Sequence, residues 1–384
     1  MTEAPQDLAR WLADTLIPAW AALAVPPDGA GYLEYLTADG RPDPRPRHSS
    51  LVTARLVYVF SHAHLLNPAG PGLAAAEHGY RFLTERCADA TGRFRHVVTA
   101  DGAALDDRAD LYDLAFVLFA CAWYARATGF REPLDRAEQV MCFIEQELAA
   151  PHGGFAEDDH GTLPRRQNPH MHLLEACHAL AETSADERWL DRANRLVTLL
   201  GDRLIDPATG TLGEFFMADW QPAPGPAGVL REPGHHFEWV WLLHHHARLA
   251  GDRHVVALAE RLHSFALAHG VAHSPEGWPL VVDGVDAEGT IVAPTRLLWP
   301  QTEAIKAEAA RLEFLADAGA RQRLDDHLAA LFHYWLDPVT GLWVNQLDPS
   351  NRSIAAEVPV RVLYHVMLAL AEAARVRALP NLVL

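Results

Sequence analysis

Six polar or aromatic residues recur along this chain at a nearly constant interval. From Arg55 through Tyr112, His172, His235, Trp299 and His365 the steps are 57, 60, 63, 64 and 66 residues. An imidazole titrates near pH 6.5, so it can take and return a proton at neutral pH. Arginine is a permanent cation able to stabilise developing oxyanion charge. Such a set suits proton transfer on a small polar molecule: a hydrogen is removed next to a carbonyl, an enediolate forms, and a carbon is reprotonated. Local spacings agree. Asn168, His172 and Glu175 stand at i, i+4 and i+7, which is one helical stripe. His235 and Glu238 are three apart, and Trp299 and Glu303 four apart. Buried ionisable groups are costly unless paired, so these stripes require a network or a wet pocket.

Other histidines have plainer readings. His62, His64, His178 and the run His244, His245, His246 are expected in the core or on the surface. His170 and His172 are two apart and point about 160° away from each other on a helix, so His170 is expected to be a bystander. Trp239 and Trp241 read as core. There is no HExxH, no acidic cluster for paired magnesium or manganese, no GxGxxG before a helix, no P-loop and no GxSxG. No metal or other cofactor is expected, although spacing alone leaves a three-histidine zinc site open.

These residues need a scaffold, and the chain repeats about every sixty residues. A glycine followed by an aromatic or leucine opens each unit, with lead residues Tyr32, Phe94, Phe155, Leu212, Trp278 and Trp343. Their spacings are 62, 61, 57, 66 and 65. Between them lie segments that are apolar nearly all round (50–66, 111–127, 360–376), alternating with amphipathic ones (186–204, 320–336). Twelve helices are predicted, near 5–24, 50–66, 71–89, 109–128, 132–149, 168–184, 186–205, 235–250, 252–269, 297–317, 319–336 and 358–376. A helix that is apolar all round wants cover on every side. Six inner helices ringed by six outer ones provide it, so an all-α, (α/α)6 barrel in one domain over 1–384 is expected, with short hairpin-like loops. The alternative is an open solenoid, which would want polar caps at its ends. The six periodic side chains would then converge on one mouth, near the inner-helix N-termini. Proline-rich stretches at 26–29, 42–46 and 221–228 punctuate the loops.

The composition narrows the partners. Hydrophobic residues make up 49% and the net charge is −18. A core is affordable, whereas nucleic-acid binding would need clustered basic side chains. A neutral small substrate fits. The four cysteines (Cys87, Cys121, Cys142, Cys177) have no CxxC pairing and read as buried thiols in a reducing compartment. No signal-like start and no run of 18 apolar residues is seen, so no membrane partner and a cytoplasmic location are expected. Monomer and homodimer are both open.

Four segments, QNPHMHLLEA (167–176), PGHHFEWVWLL (233–243), RLLWPQTEA (296–304) and VLYH (362–365), resemble signatures of the N-acylglucosamine 2-epimerase superfamily. ARLVYVFSHA (54–63) and DLYDLAFVLFA (110–120) resemble its earlier inner-helix segments. The resemblance spans about 50–370 and implies an (α/α)6 barrel, a cofactor-independent sugar isomerase or 2-epimerase, and a set of site residues. His235 and His365 would be the acid/base pair, with His235 also in ring opening. His172 joins them at the reacting end, and with Asn168 it would hydrogen-bond the sugar. Arg55, Tyr112, Glu238, Trp299 and Glu303 would bind or support the substrate. One departure matters: Trp299–Pro300 stands where cellobiose-acting members carry two tryptophans, which favours a monosaccharide. The expected reaction is D-mannose to D-fructose, and D-lyxose to D-xylulose. Rivals are a mannose 2-epimerase, an N-acetylglucosamine epimerase, a glycoside hydrolase using Glu175, Glu238 and Glu303, and a non-enzymatic carbohydrate-binding barrel.

Overall fold

Helices that bury their whole circumference can only stand inside a ring, and this chain builds one. The structure, a computed structural model, describes residues 4–26, 29–43, 45–89 and 91–379, with Ala318 described by its backbone alone. Pro27, Asp28 and Pro44, in two of the proline-rich stretches, lie outside the described residues.

Helix α1 runs through Leu8–Trp11, a π turn at Leu12–Leu16 and Ile17–Ala24. Then follow α2 (Ser50–Leu66), α3 (Gly72–Phe82), α4 (Leu111–Thr128) and α5 (Glu132–Glu147). The next are α6 (Asn168–Ser184), α7 (Glu187–Leu199), α8 (Pro233–Ala250) and α9 (His254–His269). The last are α10 (Leu298–Leu315), α11 (Ala318–Tyr334) and α12 (Leu363–Ala378). The even-numbered helices form the inner ring: α2 packs on α4, α4 on α6, and so round to α12, which packs back on α2. The ring is closed, so the fold is an (α/α)6 barrel and the open solenoid is excluded. Tyr58, Phe116, Phe237, Trp239 and Tyr364 are fully buried in the inner layer.

The repeat motif has a physical meaning. Its lead residues bridge back to the end of the preceding outer helix: Phe94 to Ala88, Phe155 to Ala149, Leu212 to Ile205, and Trp343 to Leu336. In the fifth unit a longer hairpin, Val271–His273 with Pro279–Val281, does the same.

A second set of links encircles the mouth. The residues just before each inner helix pair antiparallel with the loop of another unit. His48–Ser49 meets Val97–Val98, and Asp110 meets Asp158. Arg165–Arg166 meets Phe215–Phe216, and Arg231 meets Val285. Arg296–Leu297 meets Gln346–Leu347, and Glu357–Pro359 meets Tyr35–Thr37. The last pairing explains why the final helix starts at Leu363 and not near 358: Glu357–Pro359 is held extended, and Val360–Val362 forms one 3-10 turn.

Caps then fix where each inner helix begins. Ser49 accepts from the Val52 N–H at 3.1 Å, and Asp110 from the Tyr112 N–H at 2.9 Å. Proline stands in the first turn of α6 and α8, where its missing N–H costs nothing.

One expectation needs correcting. Cys87, Cys121 and Cys177 are buried free thiols, but Cys142 is exposed. It lies on the water-facing side of amphipathic α5, where a small side chain meets no packing demand. No described helix is long and apolar enough to cross a membrane.

Candidate active site

The inner-helix N-termini surround a cavity of about 350 Å³. All six periodic residues line it: Arg55 from α2, Tyr112 from α4, His172 from α6, His235 from α8, Trp299 from α10 and His365 from α12. Asn168 and Glu238 line it too. Glu303 does not. It is fully buried behind His365, so it supports that ring and does not meet a substrate. Larger grooves, of about 500 and 860 Å³, run along outer helices and carry no histidine.

Each of the three histidines gives Nδ1 to a buried glutamate. His172 meets Glu175 at 2.9 Å, one turn along its own helix. His365 meets Glu303 at 2.8 Å, across the α10–α12 contact. His235 meets Glu214 at 2.8 Å, with Glu232 at 3.3 Å. A carboxylate only accepts, so each bond places the proton on Nδ1 and leaves Nε2 over. Behind them, Tyr364 donates to Glu175 at 2.6 Å, and the Lys306 ammonium lies 2.6 Å from Glu303 and 3.4 Å from Glu238.

The electrostatics separate the three rings. Burial, with the Arg55 and Lys306 cations nearby, holds His365 well below the usual imidazole range. Burial also lowers His172, against the pull of Glu238. His235 is opposite: burial works against its cation, but Glu214 and Glu232 outweigh this and raise it to about 10. At neutral pH the cavity therefore presents one imidazolium and two neutral imidazoles. Burial, with Glu238 close by, pushes the Glu303 carboxyl upward, and Lys306 is the cation that opposes this.

Arg55 is 2% exposed. It donates to the Tyr112 hydroxyl at 2.6 Å and to the Arg361 carbonyl at 3.3 Å, with its guanidinium over Phe116 at 4.2 Å. Trp299 lies between two of the histidines, its ring 4.8 Å from His235 and 5.8 Å from His365. Two acceptors on cavity-lining residues have no partner, Asn168 Oδ1 and Glu238 Oε2. Three groups have metal-compatible spacing: His172 with Glu175 and Glu238, His235 with Glu214 and Glu232, and His365 with Glu238 and Glu303. In the last, the Lys306 ammonium already stands at both carboxylates.

The bystander histidines lie elsewhere. His170 accepts the Phe155 N–H at 2.9 Å, a structural task. Trp239 is core and donates to Gln167 at 2.9 Å.

Sequence spacing missed several members. Glu214 and Glu232 sit in loops, where no helical stripe marks them. Lys306 did carry a signal: it is the only lysine in the whole sequence, among 31 arginines. Arg361 also lines the mouth, and its side chain makes no hydrogen bond or ion pair with another described residue.

Comparison with known proteins follows the same lines. The N-acylglucosamine 2-epimerase (GlcNAc 2-epimerase) family profile matches residues 31–369. A Rhizobium meliloti (strain 1021) protein named mannose-6-phosphate isomerase is 34% identical over 374 residues, 95% of each chain. A D-mannose isomerase of Thermobifida fusca is 31% identical over 368 residues, covering 88% of this chain and 87% of its own. A crystal structure of a D-mannose isomerase superposes with a TM-score of 0.86 at 20% identity, covering 97% of this chain and 98% of that one. At that identity the likeness shows the shared barrel. The chain thus belongs to the N-acylglucosamine 2-epimerase family and is a sugar isomerase in the broad sense that includes 2-epimerases.

Proposed function

We propose that the protein interconverts D-mannose and D-fructose by proton transfer, and acts on D-lyxose and D-xylulose in the same way. The observation that carries this is the convergence of His235 and His365 on one cavity, each with Nδ1 held by a buried glutamate and with proton affinities shifted in opposite directions. Two titratable groups pushed apart in pKa are a ready acid and base.

The steps balance. To open the ring, the His235 imidazolium gives a proton to the ring oxygen while neutral His365 accepts the O1 proton. After these protons are exchanged back with solvent, the open aldose is bound with the same charge pattern. His365 Nε2 then takes the hydrogen from C2 as His235 protonates O1, giving an enediol. The proton held on His365 Nε2 exchanges with solvent, His365 then protonates C1, and the O2 proton passes back to His235, leaving the ketose. Arg55 stabilises the negative charge that develops on the oxygens. His172 and Asn168 orient hydroxyls, Tyr112 and Glu238 complete the polar wall, and Trp299 supplies an apolar face. Lys306 acts through Glu303: its ammonium opposes the upward push on that carboxyl and favours the ionised form, which accepts from His365 Nδ1 and leaves Nε2 free to take a proton.

The glycoside hydrolase reading loses support. Glu175 and Glu303 are committed to histidines, and of its three carboxylates only Glu238 faces the cavity. The test is to incubate EDTA-treated protein with D-mannose in D2O. Fructose carrying deuterium at C1 is expected. Glucose in place of fructose would make it a 2-epimerase, and no change in the sugar would remove the reading.

A second reading is specific enough to state. The Rhizobium meliloti relative is named for a 6-phosphate, and the unpaired Arg361 at the rim suits a phosphate. Mannose and mannose 6-phosphate assayed side by side decide it, since Arg361→Ala would impair the phosphorylated sugar alone.

A further inference from the structure

The barrel has a second cavity, at the C-terminal ends of the inner helices and opposite the mouth. It measures about 260 Å³, just under the usual range of about 300–1,000 Å³ for small-molecule pockets. All six inner helices contribute to it, from His62 on α2 to Arg375 on α12.

Its floor is aromatic and its rim is charged. Phe119, Trp123 and Trp241 line it, with the Arg126 guanidinium 4.8 Å and the His62 ring 4.4 Å from the Trp123 ring, and Lys306 Nζ 4.6 Å from the Trp241 ring. At the rim, cations and carboxylates alternate. Glu182 takes Arg248 at 2.6 Å and Arg126 at 3.4 Å, and Arg375 spans Glu313 at 2.5 Å and Glu372 at 2.9 Å. Two polar atoms on lining residues are buried without a partner, Trp123 Nε1 and His178 Nδ1. His178 is 2% exposed, and its other nitrogen already bonds His246 at 3.1 Å. A buried orphan of this kind marks a missing partner.

We propose that this cavity is a non-catalytic binding site for a neutral monosaccharide or its sugar alcohol. A pyranose has apolar C–H groups to set against the aromatic floor and hydroxyls that both donate and accept. The alternating rim offers both roles, and its cations are already matched by carboxylates, which disfavours an anion. Glu175 lines this cavity while its carboxylate holds His172 and Tyr364, so one side chain touches both ends. The inference does not depend on which sugar reaction the mouth performs.

The test is fluorotryptophan NMR on the full-length protein, titrated with mannitol and, separately, with inorganic phosphate. Mannitol is expected to shift the Trp123 and Trp241 resonances along one saturation curve and Trp299 along another. Trp123→Leu should weaken the far-end curve about tenfold, the loss of one aromatic contact and of an unpartnered indole N–H, and leave the Trp299 curve in place. If that variant fails to fold, Arg248→Gln at the rim takes its place and should weaken the same curve. Overturning results are no mannitol shift at Trp241, a shift by phosphate but not by mannitol, or a far-end curve that neither variant moves. A silent Trp299 beside a responsive Trp241 would sink the reading of the mouth and leave this proposal standing.

Discussion

The two ends of the barrel are made by the same six helices and hold many of the same residue types, yet they are ordered differently. At the mouth each histidine has a buried glutamate at Nδ1. At the far end His62 meets the Tyr58 hydroxyl at 3.0 Å, and His178 meets another imidazole. His62 is lowered to about 4 by burial alone in the main. The charged groups of the far end satisfy one another at the rim, while those of the mouth stand behind the three imidazoles that line the cavity. A histidine–carboxylate pair is not itself the mark of a site, since His263 and Glu308 form one at 2.6 Å between α9 and α10 and neither lines the mouth. What distinguishes the mouth is three such pairs converging on one space with unequal proton affinities.

Substitutions test that distinction, and the largest effects belong to the mouth. His365→Ala and His235→Ala should each lower kcat by about a hundred- to ten-thousand-fold, the usual worth of a general acid or base. Circular dichroism should show both folded. The matching far-end change, His62→Ala, should leave kcat within a factor of a few. Equal losses at both ends would erase the contrast.

Lys306→Met comes next. It leaves buried carboxylates without their cation, which costs about 3–5 kcal/mol of stability by denaturant titration. It should also lower kcat more than it changes KM, with a shifted acid limb of the pH profile. A loss of stability with an unmoved pH profile would make Lys306 a structural residue only.

The pH dependence is gentler and has a definite sign. His235 is raised to about 10 in the folded protein from a usual value near 6.5. Its cation therefore adds stability that is fully present below pH 6.5 and is lost as pH rises through about 10. Activity needing that cation should fall over the same upper range. Glu214→Gln removes the main attraction and should bring the alkaline limb of kcat/KM down toward neutral pH. An unmoved limb would mean that another group sets it. The smallest expected effect is that of Arg126→Gln at the far rim, which should leave the initial rate at low mannose within about twofold, as for surface ion pairs worth about 0–1 kcal/mol.

Much of the mouth was readable in the sequence because periodicity survives folding. A sixty-residue repeat places Arg55, Tyr112, His172, His235, Trp299 and His365 on equivalent turns of six helices, and a closed ring brings equivalent turns together. Stripe logic also put Glu175 beside His172. It failed where position depends on pairing between units. Glu214 reaches His235 because Arg165–Arg166 and Phe215–Phe216 align two loops, and no helical spacing encodes that. It failed for Glu303 because a stripe gives a face but not a depth. Lys306 sits one turn from Glu303, and helical spacing does not single it out, because a lone lysine on a helix is ordinarily a surface residue. Its solitary presence in an arginine-rich chain was the clue.

The strand pair between Tyr35–Thr37 and Glu357–Pro359 has a consequence for synthesis. A growing polypeptide emerging from the ribosome carries Tyr35–Thr37 early but receives its partner only some three hundred residues later. Until then α2 lacks its α12 neighbour, and the cavity lacks His365. On the proposed mechanism no nascent intermediate can turn over substrate, and the unclosed arc exposes apolar helix faces for most of translation. The proposed site is thus complete only once the final inner helix docks, and chaperone demand should be highest just before that moment.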